Sequence, residues 1–191
     1  MLVERIMGAL TFRKEVYAEV ERDVEFTTNA WLIVVVTSLL AQLGKLPAYG
    51  FKGIGSWLVA AIIGVVLAVG GFALAAWVIS WVGKQFFKAE VDFGEMVRVL
   101  GLAYIWNIVG VLGLLGFIPF LVCVLSPILI VAALAGLVSW VFAAKEALDL
   151  DWGPTIIVLI IGWAINLVIT TVVAGAILTA VGVGAAAASA F

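Results

Sequence analysis

"LGLAYIWNIVGVLGLLGF" (Leu100–Phe117) contains no charged residue, and the chain carries none between Arg98 and Lys145. A helix needs about 20 apolar residues to cross roughly 30 Å of hydrocarbon, so this stretch and the one after it read as successive membrane spans. Composition points the same way: 66% of the 191 residues are hydrophobic and 12% are charged, and the mean hydropathy is +1.31. A soluble domain has about a quarter charged residues. One of this size also leaves too much surface in water to hide so many apolar side chains. The expected class is an all-α polytopic membrane protein.

Five charge-poor runs give a bundle of five transmembrane helices at about 29–46, 56–82, 97–117, 120–144 and 154–181. Lys45 and the turn "KLPAYGFKGIG" close the first, and Gly83-Lys84 closes the second. "GFIPF" leaves room only for a tight hairpin between the third and fourth. Pro127, inside the fourth, predicts a kink or the helix's true start. Pro154 opens the fifth at a favoured first-turn position. The chain thus divides into an inner-side segment, 1–28, and a transmembrane domain, 29–191.

In the first segment, Phe12, Val16, Val20 and Val24 recur every fourth residue among charged neighbours. That is the pattern of an amphipathic helix, with Thr11 as its N-cap. Six acids against four bases make it a poor reader of anionic lipid. It reads as a cover over the bundle's inner end, with partner docking as the alternative. The run of 28 residues before the first apolar stretch, and Lys45 after it, do not read as a cleavable signal.

Basic residues set the orientation. With the N-terminus inside, Arg5, Arg13, Lys14, Arg22, Lys84, Lys88, Arg98 and Lys145 lie inside, against Lys45 and Lys52 outside. Every Asp and Glu also falls inside. The expected location is the cell membrane, N-terminus cytoplasmic and C-terminus outside. Trp31, Trp57, Trp77, Trp81, Trp140 and Trp152 lie near span ends, as an interfacial belt requires. Trp106 and Trp163 sit deeper and read as packing residues. The single Cys123 excludes an intrachain disulfide.

The residues that carry chemistry are few. There is no histidine, which removes the usual haem, zinc or copper ligand and the commonest acid/base group. No nucleophile elbow or phosphate loop appears, and no charge lies in the interior of any span, which disfavours an ion-coupled pump. Glu90, Asp92 and Glu95, with Asp149 and Asp151, read as solvated loop charge, because their spacing fits no cation-binding loop. No catalytic, cofactor or metal residue is assigned.

Small and polar residues suggest packing instead. Gly162, Asn166, Thr170 and Ala174 recur every fourth residue, with Thr171, Gly175 and Thr179 alongside. So do Ala60, Gly64 and Ala68, followed by Gly71 and Ala75. Such faces let helix backbones approach, and amides and hydroxyls bond across them. Asn107 is expected to bond across helices to Asn166 or Thr170, at about 0.6 to 2 kcal/mol. A polar pathway or a ligand contact is its other reading.

"FGEMVRVLGLAYIWNIVGVL", after two spans and a short inner loop, resembles the central motif of the Yip-one family of five-span membrane proteins. "RIMGALTFRKEVYAEVERD" is similar to the pre-membrane segment of its prokaryotic members, and "AAKEALDLDWGPTIIVLIIGWAINLV" to their link into the last helix. Where the family often has Gly-Tyr and a nearby proline, this chain has Gly101-Leu102 and Trp106. The acidic-aromatic signature of the eukaryotic trafficking members is absent, so their role is not implied. The resemblance implies fold and topology. Two function classes follow. One is a non-enzymatic structural or assembly protein, or accessory subunit, embedded in the lipid bilayer with a membrane-protein partner or a second copy and no nucleic acid. The other is a small-solute channel or transporter, its path lined by some of Gln42, Ser80, Asn107, Ser126, Asn166, Thr170 and Thr171.

Overall fold

A computed structural model describes residues 2–180. Two short helices, α1 (Leu2–Leu10) and α2 (Glu15–Arg22), precede α3 (Phe26–Gly44), a single turn α4 (Leu46–Tyr49) and α5 (Ile54–Phe87). Then come α6 (Phe93–Ala103), a 3-10 helix (Tyr104–Phe117) that prolongs it, α7 (Pro119–Leu148) and α8 (Trp152–Ala180). Five stretches are long and apolar enough to cross a membrane: Phe26–Tyr49, Phe51–Phe87, Phe93–Phe117, Phe120–Leu148 and Trp152–Ile177. The first, second, third and fifth each start before their expected position, the fourth starts at Phe120 as expected, and Val181, the expected end of the last, lies outside the described residues. Pro127 lies well inside α7 and does not start it; Pro119 does.

Burial ranks the spans. In their most apolar windows 39% of the first and 33% of the third are buried, against 6% of the fourth. The first and third therefore form the axis of the bundle, and the others surround them. Glycines explain how closely the two approach. Gly101 of α6 lies on Ala30 of α3, where an added methyl would come within 2.8 Å of the Ala30 Cβ. Beyond Ala103, Gly110 lies against Ala41, Gly44 and Gly113 press backbone on backbone, and Gly116 rests on Pro47.

This is why the second half of the third span winds as a 3-10 helix. Three residues per turn stack Gly110, Gly113 and Gly116 along one edge. An α-helix would rotate each of them about 60° away from the last. The tight winding holds Gly110 and Gly113 against α3 and Gly116 against α4, although runs of this length are uncommon.

Local chemistry sets the ends. Asp92 caps α6 reciprocally with Glu95: its carboxylate accepts from the Glu95 N–H at 2.9 Å, and its own N–H donates to Glu95 Oε2 at 2.7 Å. Ile118, in extended conformation, makes the hairpin into α7.

The N-terminal segment departs from the sequence expectation. It is two helices, and Thr11 caps the end of the first, its hydroxyl donating to the Met7 carbonyl at 2.8 Å. Phe12 turns the chain at φ +57°. The Phe12 N–H bonds back to Ala9 and the Arg13 N–H to Gly8, which is the Schellman pattern of a helix C-terminus. Glycine usually holds that position. Here the Phe12 ring stacks on Trp106, with centroids 5.4 Å apart, and contact energy offsets backbone strain. Of the apolar stripe, Val16 and Val20 are buried with Tyr17, while Val24 is exposed.

Candidate functional site

Two places gather the polar side chains of this molecule. One is the charged end, where α1 and α2 meet α6, α7 and the start of α8. Arg98, only 6% exposed, points its guanidinium at the C-terminus of α2. Its Nε donates to the Val20 and Glu21 carbonyls at 3.2 and 2.9 Å, and Nη2 donates to Glu21 as well. A cation at a helix C-terminus also meets the negative end of the helix dipole. Arg5 binds Glu19 at 2.7 Å and Asp23 at 2.6 Å, closing α1 onto α2. Lys14 and Lys145 lie over the Trp152 ring at 5.7 and 5.4 Å. Arg98 thus carries a charge into the protein interior near the start of the third span, a role the sequence alone did not assign it.

Electrostatics divides the acids here. The hydrogen bond from Arg5 holds the Asp23 carboxyl below its ordinary range. Burial, then the nearby charges of Asp149 and Glu95, push the Glu21 carboxyl up. Asp92 and Glu95 are spent on the cap of α6. Among the described residues no group of three or more His, Cys, Asp or Glu is placed to hold a metal ion.

The second place is a partly open cleft of about 540 Å³ between α5, the third span, α7 and α8, with Asn107 exposed on its lining. It answers the question of Asn107. The amide does not bond across helices: its Nδ2 donates to the Tyr104 carbonyl of its own helix at 3.0 Å. Asn166 and Thr170 are likewise bonded to each other, the Thr170 hydroxyl donating to Asn166 Oδ1 at 3.3 Å. Short polar side chains find local partners first. All three nonetheless line the same cavity. They share a space without sharing a bond.

The remaining pathway candidates do not join them. Gln42 is buried between α3 and α5, its side chain over Gly64, and its backbone carbonyl accepts the Trp57 indole N–H at 3.0 Å. Ser80, Ser126 and Thr171 each donate to a carbonyl of their own helix. The small-residue faces are used in part: Gly162 packs on Ile79, and Gly71 faces Thr170 across 3.6 Å. The side chains of Ala174 and Thr179 lie outside the described residues.

Aromatic rings wall the cavity. Trp140, placed by sequence in the interfacial belt, turns inward, edge-on to Phe72 at 6.4 Å and tilted against Trp163 at 6.5 Å. Its signal was available: Ala132, Gly136 and Trp140 repeat every four residues on α7, two small residues and a ring on one face. Trp77, Trp81 and Trp152 are exposed, as a belt position demands. Trp106 packs, as its depth implied, between Phe12 and Gly136.

A family model described as the Yip1 domain matches residues 7–188. The chain belongs to this family. Comparison with curated proteins gave no match, and comparison with solved structures gave none. The match spans both polar places: the charged end with α2 and Arg98, and the cavity with Asn107 and Asn166. As a Yip1-domain protein with five apolar helices, the chain is a multi-pass membrane protein.

Proposed function

We propose that this Yip1-domain protein acts by association, as a non-enzymatic assembly factor or accessory subunit of a membrane complex. One observation carries the reading: the intramembrane polar groups do not form a line. Ser80, Ser126 and Thr171 are each spent on a carbonyl of their own helix, Gln42 lies apart from them over Gly64, and only Asn107, Asn166 and Thr170 share a space. A solute path needs continuous polar lining, because each unpaired polar group in hydrocarbon is costly, so the channel alternative has little support. The fourth span, 6% buried in its window, leaves most of its surface for lipid or another helix.

The reading places the protein in the cell membrane, N-terminus cytoplasmic and C-terminus outside. It treats 1–28 as an inner-side segment seated under the transmembrane domain 29–191. The gathering of charge around Arg5, Arg98 and Lys145 at one end supports that orientation. A partner would be another membrane protein or a second copy. Crosslinking in native membranes, followed by mild-detergent purification, tests this: a stoichiometric partner or homo-oligomer is the expected outcome. A clean monomer that conducts solute in vesicles would overturn it.

A further inference from the structure

The cavity has the size and chemistry of a ligand site. Pockets for small molecules run from about 300 to 1,000 Å³, mostly apolar with a few convergent polar groups. This one, at about 540 Å³, is lined by no charged side chain, so an ionic head would find no counter-charge there. Its polar groups are two amides, the Tyr104 and Thr170 hydroxyls and the tryptophan indole N–H groups, of which that of Trp106 is buried without a partner. Asn107 spends one of its two N–H groups on the Tyr104 carbonyl, which leaves the other. Asn166 has its oxygen filled by Thr170, which leaves its NH₂. Both amides therefore offer donors, and the matching head offers carbonyl acceptors. The walls of Trp140, Trp163 and Phe72 favour a flat ring, since aromatic faces pair with one another.

A second, smaller space continues the first. A furrow of about 250 Å³ runs between α5 and α8, sharing Leu67, Gly71 and Thr170 with the cavity. Gly70 and Gly71 form its floor where side chains would otherwise fill it, and apart from Thr170 the lining is apolar. The two spaces together accommodate a polar head and one apolar tail.

We infer that the cavity and its furrow bind one neutral lipid whose head is a flat ring bearing carbonyl oxygens and whose tail is a single chain, the chemistry of a prenylquinone. Asn107 and Asn166 hold the carbonyls, and the tail lies over Gly71. Binding is independent of whether the protein also has a protein partner.

The test uses the full chain in phosphatidylcholine nanodiscs, with a tetraprenyl menaquinone as the probe and quenching of tryptophan fluorescence as the readout. Saturable quenching is expected, with excess diacylglycerol failing to compete. Asn107→Leu with Asn166→Leu should weaken the apparent affinity about tenfold or more, the loss of one to two hydrogen bonds. Gly71→Leu, which blocks the junction, should do the same. Gly55→Ala, outside both spaces and with nothing within 4 Å of its added methyl, serves as the folded control. If the amide pair fails to fold, photolabelling by an azido-quinone replaces it, with label expected on the cavity segments of the third span and α8. Quenching that rises without saturation and is the same in every folded variant means partition into the bilayer alone, and overturns the site. Displacement by diacylglycerol overturns the ring-headed ligand.

Discussion

The hydroxyls of Tyr17 and Ser139 lie 2.6 Å apart and join residues 122 positions apart in the chain. Both side chains are fully buried. This bond fastens α2 beneath α7, so the N-terminal segment is held by more than apolar contact. Tyr17→Phe keeps the ring but leaves the Ser139 hydroxyl without its partner, at a cost of about 1 to 3 kcal/mol. Tyr17→Phe with Ser139→Ala removes both polar groups and should recover much of that loss. Thermal unfolding in detergent measures the cycle. A double-variant loss equal to the sum of the Tyr17→Phe and Ser139→Ala losses would mean that the bond contributes nothing of its own.

Arg98 supplies the second fastening. Its planar fork reaches two carbonyls at once, a geometry lysine's point charge does not reproduce. Arg98→Lys is therefore expected to lose nearly as much stability as Arg98→Met, on the order of 2 to 3 kcal/mol for hydrogen bonds to a charged group. Limited proteolysis should at the same time open the chain between α2 and α3. Full stability in Arg98→Lys would show that charge alone suffices.

The two acids at this end predict opposite responses to pH. Asp23 is held below its ordinary value of 3.8 by Arg5. Its contribution is present above that value and is lost as pH falls through the lower, folded one. Glu21 is raised above its ordinary value of 4.5, first by burial and then by Asp149 and Glu95. Its contribution is present below that value and is lost as pH rises through the folded one. Glu21→Gln should accordingly raise the melting temperature at pH 7 and flatten the profile above pH 4.5. Asp23→Asn should instead weaken the protein at neutral pH and flatten the acid arm. Melting curves across pH 3 to 8 check both signs.

Span number was legible because hydropathy is additive along the chain and needs no knowledge of neighbours. The charged end was legible in part, since Val16 and Val20 announced a buried face. What the pattern could not carry was choice among local partners. Asn107 has a carbonyl three residues back that reaches it before any other helix does. Phe12 holds a left-handed turn that glycine usually marks, and only the Trp106 stack, far off in sequence, makes sense of it. The glycines at 110, 113 and 116 did carry a signal. Their interval of three, where small-residue faces were sought at four, is the period of the 3-10 helix itself.

That stripe makes a graded prediction. Gly44 and Gly113 meet backbone to backbone, so a methyl on either has nowhere to go. Gly44→Ala and Gly113→Ala should lower stability by more than 2 kcal/mol or prevent folding, in the manner of an overpacked core. At Gly116 the added methyl would find Pro47 at 3.5 Å, an ordinary contact, and the cost should be small. Gly55, at the start of α5, has nothing within 4 Å. Gly55→Ala should be neutral or gain about 0.5 to 1 kcal/mol from helix propensity. If all four variants melt alike, close backbone approach is not what winds this span tightly.

Orientation is tested most directly by labelling. Cys123 is exposed, so Cys123→Ala provides the background. Tyr49→Cys then reports the turn after α4, where the native side chain is 41% exposed. Asp151→Cys reports the exposed link before α8. These two positions flank opposite ends of the bundle, since an odd number of spans, the second to the fourth, separates them. With the N-terminus cytoplasmic, an impermeant maleimide added to intact cells should modify Tyr49→Cys and spare Asp151→Cys until the membrane is opened. The reverse pattern would invert the molecule and place Arg5, Arg98 and Lys145 on the outer side, against the preference of basic residues for the cytoplasm. Labelling of both from outside would break the span count itself.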